Sequence, residues 1–309
     1  MFYRTFTNYP KNSDPFENRI FSSFQKGSSL TRLIYINCGI FLIIKVIYTF
    51  FLLSGEGAIF YPILSKWVAV PSNLSHLLTH FWTLGTYMFI QFDFLHLLFN
   101  MLWLYWFGTF FLNHFTQRQL TGVYLLGGIF GALLYIIAYN IFPYFDATRD
   151  SVGAIGASAS VMAIVFAVCT YLPNHKVYIF LLGPIKLIYL ALFTACIDFF
   201  SIQFDNAGGH IAHLGGALFG WLFIKGLQHN KDFSAGITYL LQLFVKLFSS
   251  KKKVRVTYKK QASDMNDQEY NLYKKQQQET INTILDKISK SGYESLTREE
   301  KEILFKRKD

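Results

Sequence analysis

Six stretches of the chain are predominantly apolar: 32–53, 91–113, 120–142, 152–172, 187–204 and 208–227. A hydrocarbon core of roughly 30 Å takes about 20 helical residues to cross, so the pattern predicts six membrane-spanning α-helices. The fifth is the least regular. Its apolar run begins at Val177, but Gly183-Pro184 interrupts it and Lys186 follows. Proline removes a backbone donor, which places 177–186 at the interface and starts the helix after Lys186. The connection 54–90 is long and rich in Trp67, Val68, Leu74, Leu77, Leu78, Phe81 and Trp82, and reads as an element lying in the headgroup region. Beyond the sixth span, Phe233, Ile237, Leu240, Leu241, Phe244, Val245 and Phe248 recur at helical spacing. That run is short for a crossing and predicts an interfacial helix. In 279–305, Ile281, Ile284, Leu285 and Ile288 form one stripe, Ser291-Gly292 stops the helix, and Thr297-x-x-Glu300 has the form of a capping box. A small helical hairpin follows from this, with Leu296, Ile303, Leu304 and Phe305 to bury.

Composition agrees with a membrane domain carrying a polar tail. Of 309 residues, 52% are apolar and 16% charged, against about a quarter charged in soluble domains; mean hydropathy is +0.28. The expected organisation is an N-terminal segment 1–31, a six-helix membrane domain 32–230, an amphipathic helix with a basic patch 231–260, and a helical tail 261–309. Basic residues set the orientation. Arg4, Lys11, Arg19, Lys26, Arg118, Lys176, Lys186, Lys225, Lys231 and Lys251 to Lys253 fall on one side, against Lys66 and Arg149 on the other. Both termini are therefore expected in the cytoplasm, which six spans permit. The net charge of +10 comes largely from the inner loops and the run Lys251–Lys260. That run suits anionic lipid and gives no reason to expect a nucleic acid. Cys38, Cys169 and Cys196 all lie in apolar runs, with no metal-knuckle or disulfide spacing.

Polar groups at membrane depth are costly and usually functional. His96 and Asn100, Ser158, and His213 lie near the outer starts of spans two, four and six, with Ser158 about six residues into its span. Gly153 and Gly156 precede the serine, and Gly215, Gly216 and Gly220 follow His213; small residues let membrane helices approach closely. A serine hydroxyl beside an imidazole is the minimum for an activated nucleophile, with neutral histidine as general base. His96 and Asn100, spaced i, i+4, share a helix face and can donate to an oxyanion.

These residues carry a resemblance. Gly156-Ala157-Ser158-Ala159 resembles the GxSx motif of the rhomboid intramembrane proteases. Ala212-His213-Leu214-Gly215-Gly216-Ala217-Leu218-Phe219-Gly220 resembles their sixth-helix histidine motif, and His96-Leu97-Leu98-Phe99-Asn100 their second-helix HxxxN. The resemblance covers 32–230. It implies an all-α rhomboid-like bundle of six transmembrane helices, with a membrane-embedded first loop and a short, central serine helix below a water-filled cavity. It implies a serine endopeptidase with a Ser158–His213 dyad and no third carboxylate, and an oxyanion or substrate-binding set including His96, Asn100 and Gly156. Substrates would be single-span membrane proteins, with helix five as their gate, and no cofactor or metal would be required. A bacterial inner membrane is the expected location, and the tail is similar to a cytoplasmic appendage of some bacterial rhomboids. The chain departs from the family at Ala159, most often Gly there, at Met162, aromatic in well-studied members, and at Leu112, often Glu.

Other residues rank lower. His210 is expected at a structural or rim position. His76 and His80 are spaced for a metal but lack a third ligand in view. Lys45 is expected to snorkel or pair, and Asp198 to hydrogen-bond within the bundle without a reaction role. The principal alternative to a protease is an inactive rhomboid-like protein that binds membrane partners. A transporter using Lys45, Asp198 and the histidines is the more distant one.

Overall fold

Helix starts in this chain follow the positions of side chains that can cap them. In a computed structural model, which describes residues 27–150, 153–179, 183–204, 206–248 and 267–305, Ser28 accepts from the Thr31 N–H at the head of α1 (Ser29–Leu53). In the first loop, α2 (Gly57–Val68), α3 (Leu74–Thr79) and α4 (Thr83–Thr86) follow, with β1 (Val70–Pro71) between the first two. Asp93 caps α5 (Phe94–Leu112), and Thr116 with Gln119 forms a capping box on α6 (Gln117–Ile141). Next come β2 (Gly153–Ala154), α7 (Ser158–Tyr171), the antiparallel pair β3 (Lys176–Ile179) and β4 (Gly183–Lys186), and α8 (Leu187–Ser201). Asn206, at φ 63, caps α9 (Ala207–Gln228), and α10 (Ser234–Phe248) follows.

Six apolar helices, α1 and α5 to α9, form the bundle. Four are long enough to cross a membrane, while α7 and α8 are shorter apolar helices of 14 and 15 residues. At about 1.5 Å per residue α7 reaches only about 21 Å. It sits at the centre, against α5, α6, α8 and α9. The bundle's outer face is apolar, as lipid requires: Phe50 is 69% exposed and Phe200 65%.

Close approach at the centre depends on glycine. A Cβ on Gly216 would lie 2.0 Å from the Ala159 carbonyl oxygen, and one on Gly220 2.2 Å from that of Ala163. Without side chains there, α9 lies directly on the backbone of α7. Gly131 meets the same pair, 2.6 Å from Ala159 Cβ and 2.8 Å from the Ala212 carbonyl.

Two expectations about the spans need correction. Span four does not begin at 152, because Gly153 and Ala154 pair with Pro71 and Val70 of the first loop. The apolar run hides this strand, and Ser158 is the first residue of its helix rather than six residues in. The segment before span five is a β-hairpin, and that helix ends at Ser201 rather than 204.

The first loop, expected at the headgroup level, exposes Trp67, Leu74, Leu78 and Phe81. Lys45 donates to the Tyr61 hydroxyl at 2.8 Å and lies 5.3 to 5.7 Å from the Phe41, Tyr48 and Tyr61 ring centres. It is paired, as expected of a lysine at that depth.

Contacts divide the chain into two units, 1–249 and 250–309. In the second, α11 (Asp267–Ser291) starts earlier than the apolar stripe predicts, and α12 (Arg298–Phe305) follows Gly292. The capping box forms: Glu300 accepts from the Thr297 N–H at 2.7 Å, and Thr297 Oγ1 from the Glu300 N–H at 3.3 Å. Ile284 and Leu296 are buried, but Leu285 and Ile303 face outward, because two helices cover only one face of each other. Arg4, Lys11, Arg19, Lys26 and the basic run 251–260 lie outside the described residues.

Candidate active site

The loop that delivers Ser158 is held by the first loop. Besides the β1–β2 pair, Gly156 N–H donates to the Tyr87 carbonyl at 3.1 Å, and Tyr87 Oη donates to the Gly128 carbonyl at 2.6 Å. Gly156 has φ +130, a conformation essentially restricted to glycine. A Cβ there would lie 3.0 Å from His96 Cε1 and 3.6 Å from Ser158 Oγ. The bare glycine thus leaves a gap flanked by the imidazole and the hydroxyl.

Four residues singled out from the sequence, His96, Asn100, Ser158 and His213, line one cavity of about 260 Å³ with Phe99, Trp103, Val161, Met162, Thr194, Ile197 and Asp198. The cavity's lining is contributed by α5, α7, α8 and α9. Ser158 opens α7, so the first N–H groups of that helix, which have no partner inside it, carry partial positive charge beside the hydroxyl. Among the described residues no hydrogen bond joins Ser158 to His213; such pairs are often long before substrate binds.

Asp198 hydrogen-bonds within the bundle, as expected, and its partner is the histidine that the resemblance singles out: His213 Nδ1 is 2.8 Å from Asp198 Oδ1. His210 Nδ1 is 2.8 Å from the same oxygen. Asp198 is 6% exposed and reaches α9 from α8. Sequence placed it at a plausible depth, but nothing in the chain marks which helix faces it.

Asn100 is positioned by a buried chain that sequence reading missed. Its Nδ2 donates to Gln91 Oε1 at 2.9 Å, and Gln91 Nε2 donates to Asn37 Oδ1 at 3.3 Å. Asn37 Nδ2 then donates to Tyr124 Oη at 3.0 Å, and Tyr124 donates to the Met88 carbonyl at 2.9 Å. Asn37 inside an apolar helix was the available signal, since a buried amide must be satisfied. His96, by contrast, is exposed along the cavity, with its backbone N–H held by Asp93 at 2.8 Å. His76 and His80 do not form a metal cluster among the described residues; His80 Nδ1 is 2.9 Å from Thr79 Oγ1.

Comparison with known proteins matches residues 78–229 to the rhomboid domain and 266–306 to a family of unknown function (DUF6576). The presenilin-associated rhomboid-like protein, mitochondrial, of Rattus norvegicus is 32% identical over 147 residues, 44% of this chain and 35% of that protein. The Homo sapiens protein of the same name is 31% identical over 149 residues, again 44% and 35%. RHOMBOID-like protein 12, mitochondrial, of Arabidopsis thaliana is 31% identical over 147 residues, 44% of this chain and 43% of that protein. The chain thus spans well under half the length of these relatives. The matched region contains the whole cavity-bearing part of the bundle from α5 to α9. With its six-helix bundle around a short central helix, this chain is a membrane protein that carries a rhomboid domain.

Proposed function

We propose that the chain is an intramembrane serine endopeptidase, with Ser158 as nucleophile and His213 as general base. The observation that carries the reading is that Ser158, at the head of α7, and His213, anchored through Nδ1, face one cavity within the bundle. With Nδ1–H donating to Asp198, the Nε2 of His213 keeps a lone pair. It can take the serine proton as the hydroxyl attacks a peptide carbonyl, and return it to the leaving amine. Asp198 is a positioning residue that holds the ring and favours the imidazolium formed during attack. The Ser158 N–H, His96 and Asn100 would donate to the oxyanion, and the gap at Gly156 would admit the substrate backbone.

Substrates on this reading are transmembrane proteins, cut where their helices unwind near the outer boundary. Both termini would be cytoplasmic, with anionic lipid at the basic segment 251–260. The expectation of a bacterial inner membrane gains nothing from relatives whose names are mitochondrial. On this reading the chain comprises an N-terminal segment 1–31, a six-helix membrane domain 32–230, an amphipathic and basic segment 231–260 and a helical tail 261–309. A second reading, a partner-binding protein without catalysis, is favoured by Ala159 and Met162, where the chain departs from the protease motif.

A fluorophosphonate serine probe on the detergent-purified chain separates the two. Labelling that disappears in Ser158→Ala and His213→Ala supports the protease. A folded wild-type protein that neither labels nor cleaves a transmembrane substrate supports the binding protein.

A further inference from the structure

The histidine pair on α9 and the aspartate on α8 converge more tightly than a catalytic hydrogen bond needs. Nδ1 of His210 and Nδ1 of His213 each lie 2.8 Å from the same Asp198 oxygen. Three potential ligand atoms, two imidazole nitrogens and a carboxylate oxygen, fall within 4.8 Å of one another. The rings are one turn apart, with centroids 5.8 Å apart and planes 83° to each other, so both nitrogens reach the carboxylate from different directions. Asp198 is buried and both imidazoles are half-buried. No other group of three such residues occurs among the described residues.

Two imidazoles and one carboxylate are a zinc donor set, with the fourth tetrahedral position left for water or substrate. Bonds of about 2.0–2.2 Å to each ligand would put the ligand atoms about 3.3–3.5 Å apart. The two 2.8 Å contacts would need to open by about 0.5–0.7 Å, within a set of ligand atoms that already lie within 4.8 Å of one another. Hard cations such as magnesium prefer oxygen donors, so nitrogen donors select a zinc-class ion. The cavity beside Asp198 and His213 supplies a way in.

We propose that Asp198, His210 and His213 form a regulatory site for a zinc-class divalent cation, and that its occupancy disables His213 as a base. The blockade, though not the site, rests on the protease reading above. Its logic is tautomeric. A neutral imidazole has one protonated and one free nitrogen. Without metal, the Nδ1 proton points at Asp198 and Nε2 is free to accept from Ser158. Metal on Nδ1 uses that lone pair and moves the ring's proton to Nε2. The nitrogen facing the serine then carries hydrogen and cannot accept another. No bond to substrate is made or broken by the ion; it is an inhibitor, not a cofactor.

The test uses the full, untagged chain in detergent micelles, with zinc chloride as the only added ligand. Equilibrium dialysis should give one zinc per wild-type chain that is weakened at least about tenfold in His210→Ala, His210→Gln and Asp198→Asn. His76→Ala, in the outer-loop pair, should bind as wild type, and magnesium should not compete. Fluorophosphonate labelling of Ser158 should fall in step with zinc occupancy and return with a chelator. In the His210 variants, labelling at the same zinc concentration should stay at each variant's own zinc-free rate. Equal zinc binding by wild type and both His210 variants overturns the site. Zinc bound through His210 without loss of wild-type labelling overturns the blockade. A chain that never labels, with or without zinc, counts against the protease reading, while its zinc stoichiometry still decides the site.

Discussion

Adding one methyl group at Gly216 tests whether the serine and histidine helices are in backbone contact. In Gly216→Ala the new Cβ would sit 2.0 Å from the Ala159 carbonyl oxygen, 2.8 Å from its carbon and 3.1 Å from its Cα. Ordinary contact begins at 3.4 Å, so about 1.4 Å of separation must be found between α7 and α9. No rotamer change relieves it, because every atom met is backbone or Cα. Overpacking of this kind costs about 1–3 kcal/mol, and a domain of this size loses roughly 2–4 °C of Tm per kcal/mol. The proposed activity should suffer more than stability. Ala159 adjoins Ser158, and Gly216 lies one turn from His213, so the shift separates the reacting groups directly. A misplacement of about 1 Å can cost about 100-fold in rate. The assay is fluorophosphonate labelling rate and transmembrane-substrate kcat/KM beside a thermal melt in detergent. Gly39→Ala is the control: nothing lies within 4 Å of its Cβ, so it should label normally and melt at or above wild type through better helix propensity. If Gly216→Ala melts and labels like Gly39→Ala, the contact between α7 and α9 is wrong.

Three further perturbations probe other links. Asp198→Asn replaces a charged acceptor with a neutral amide oxygen; a hydrogen bond to a charged group is worth about 1.5–3 kcal/mol, so the labelling rate should fall, by at most about 150-fold; a pH–rate profile unchanged in both height and shape would deny it a positioning role. Gln91→Leu strands the Asn37 and Asn100 amides in a buried site. It should lower Tm by several degrees and cut kcat about tenfold with little change in KM, whereas Gln91→Glu, which keeps the acceptor for Asn100, should retain more activity; equal kcat for both would separate Asn100 from the oxyanion. In the tail, the Lys287 ammonium, 2.8 Å away, and the Thr297 N–H hold the Glu300 carboxyl below its usual range. A depressed carboxylate stabilises above its unfolded pKa and stops doing so as pH falls through the lowered folded value. Hydrogen exchange of the α12 amides should therefore be slower than in Glu300→Gln near neutral pH, with the difference vanishing in acid. A difference that grows in acid would reverse the assignment.

Elements that rest on local chemistry were legible in the chain. The six apolar runs, the Thr297–Glu300 capping box and the grouping of His96, Asn100, Ser158 and His213 follow from hydropathy, cap residues and periodicity. Pairings between helices were not. Asp198 lies 15 residues from His213 in the chain, and only the crossing of α8 with α9 brings them together. The buried chain from Tyr124 through Asn37 and Gln91 to Asn100 draws on α1, α6 and the end of the first loop. No periodicity encodes such a path. The break before Ser158 was hidden for a different reason: Val152, Gly153, Ala154 and Ile155 are as apolar as the helix they precede, so hydropathy does not distinguish a strand there from another turn of helix.

That hidden break ties the first loop to the chemistry. A 14-residue helix reaches only about 21 Å, so the backbone leading to Ser158 lies within the bundle as irregular chain. Backbone of that kind survives at membrane depth only if protein or trapped water satisfies it. Val70 and Pro71 supply a strand for Gly153 and Ala154, Tyr87 accepts from the Gly156 N–H, and Asn73 Nδ2 donates to Asp150 at 2.6 Å. The first loop is therefore the hydrogen-bonding partner that allows the serine helix to start low. A helix continued up to 152 would bury Ser158 in its own turn and place the following N–H groups inside the i to i−4 ladder. Starting the helix at Ser158 instead puts that residue on the cavity wall and leaves the first N–H groups of α7 outside its i to i−4 ladder.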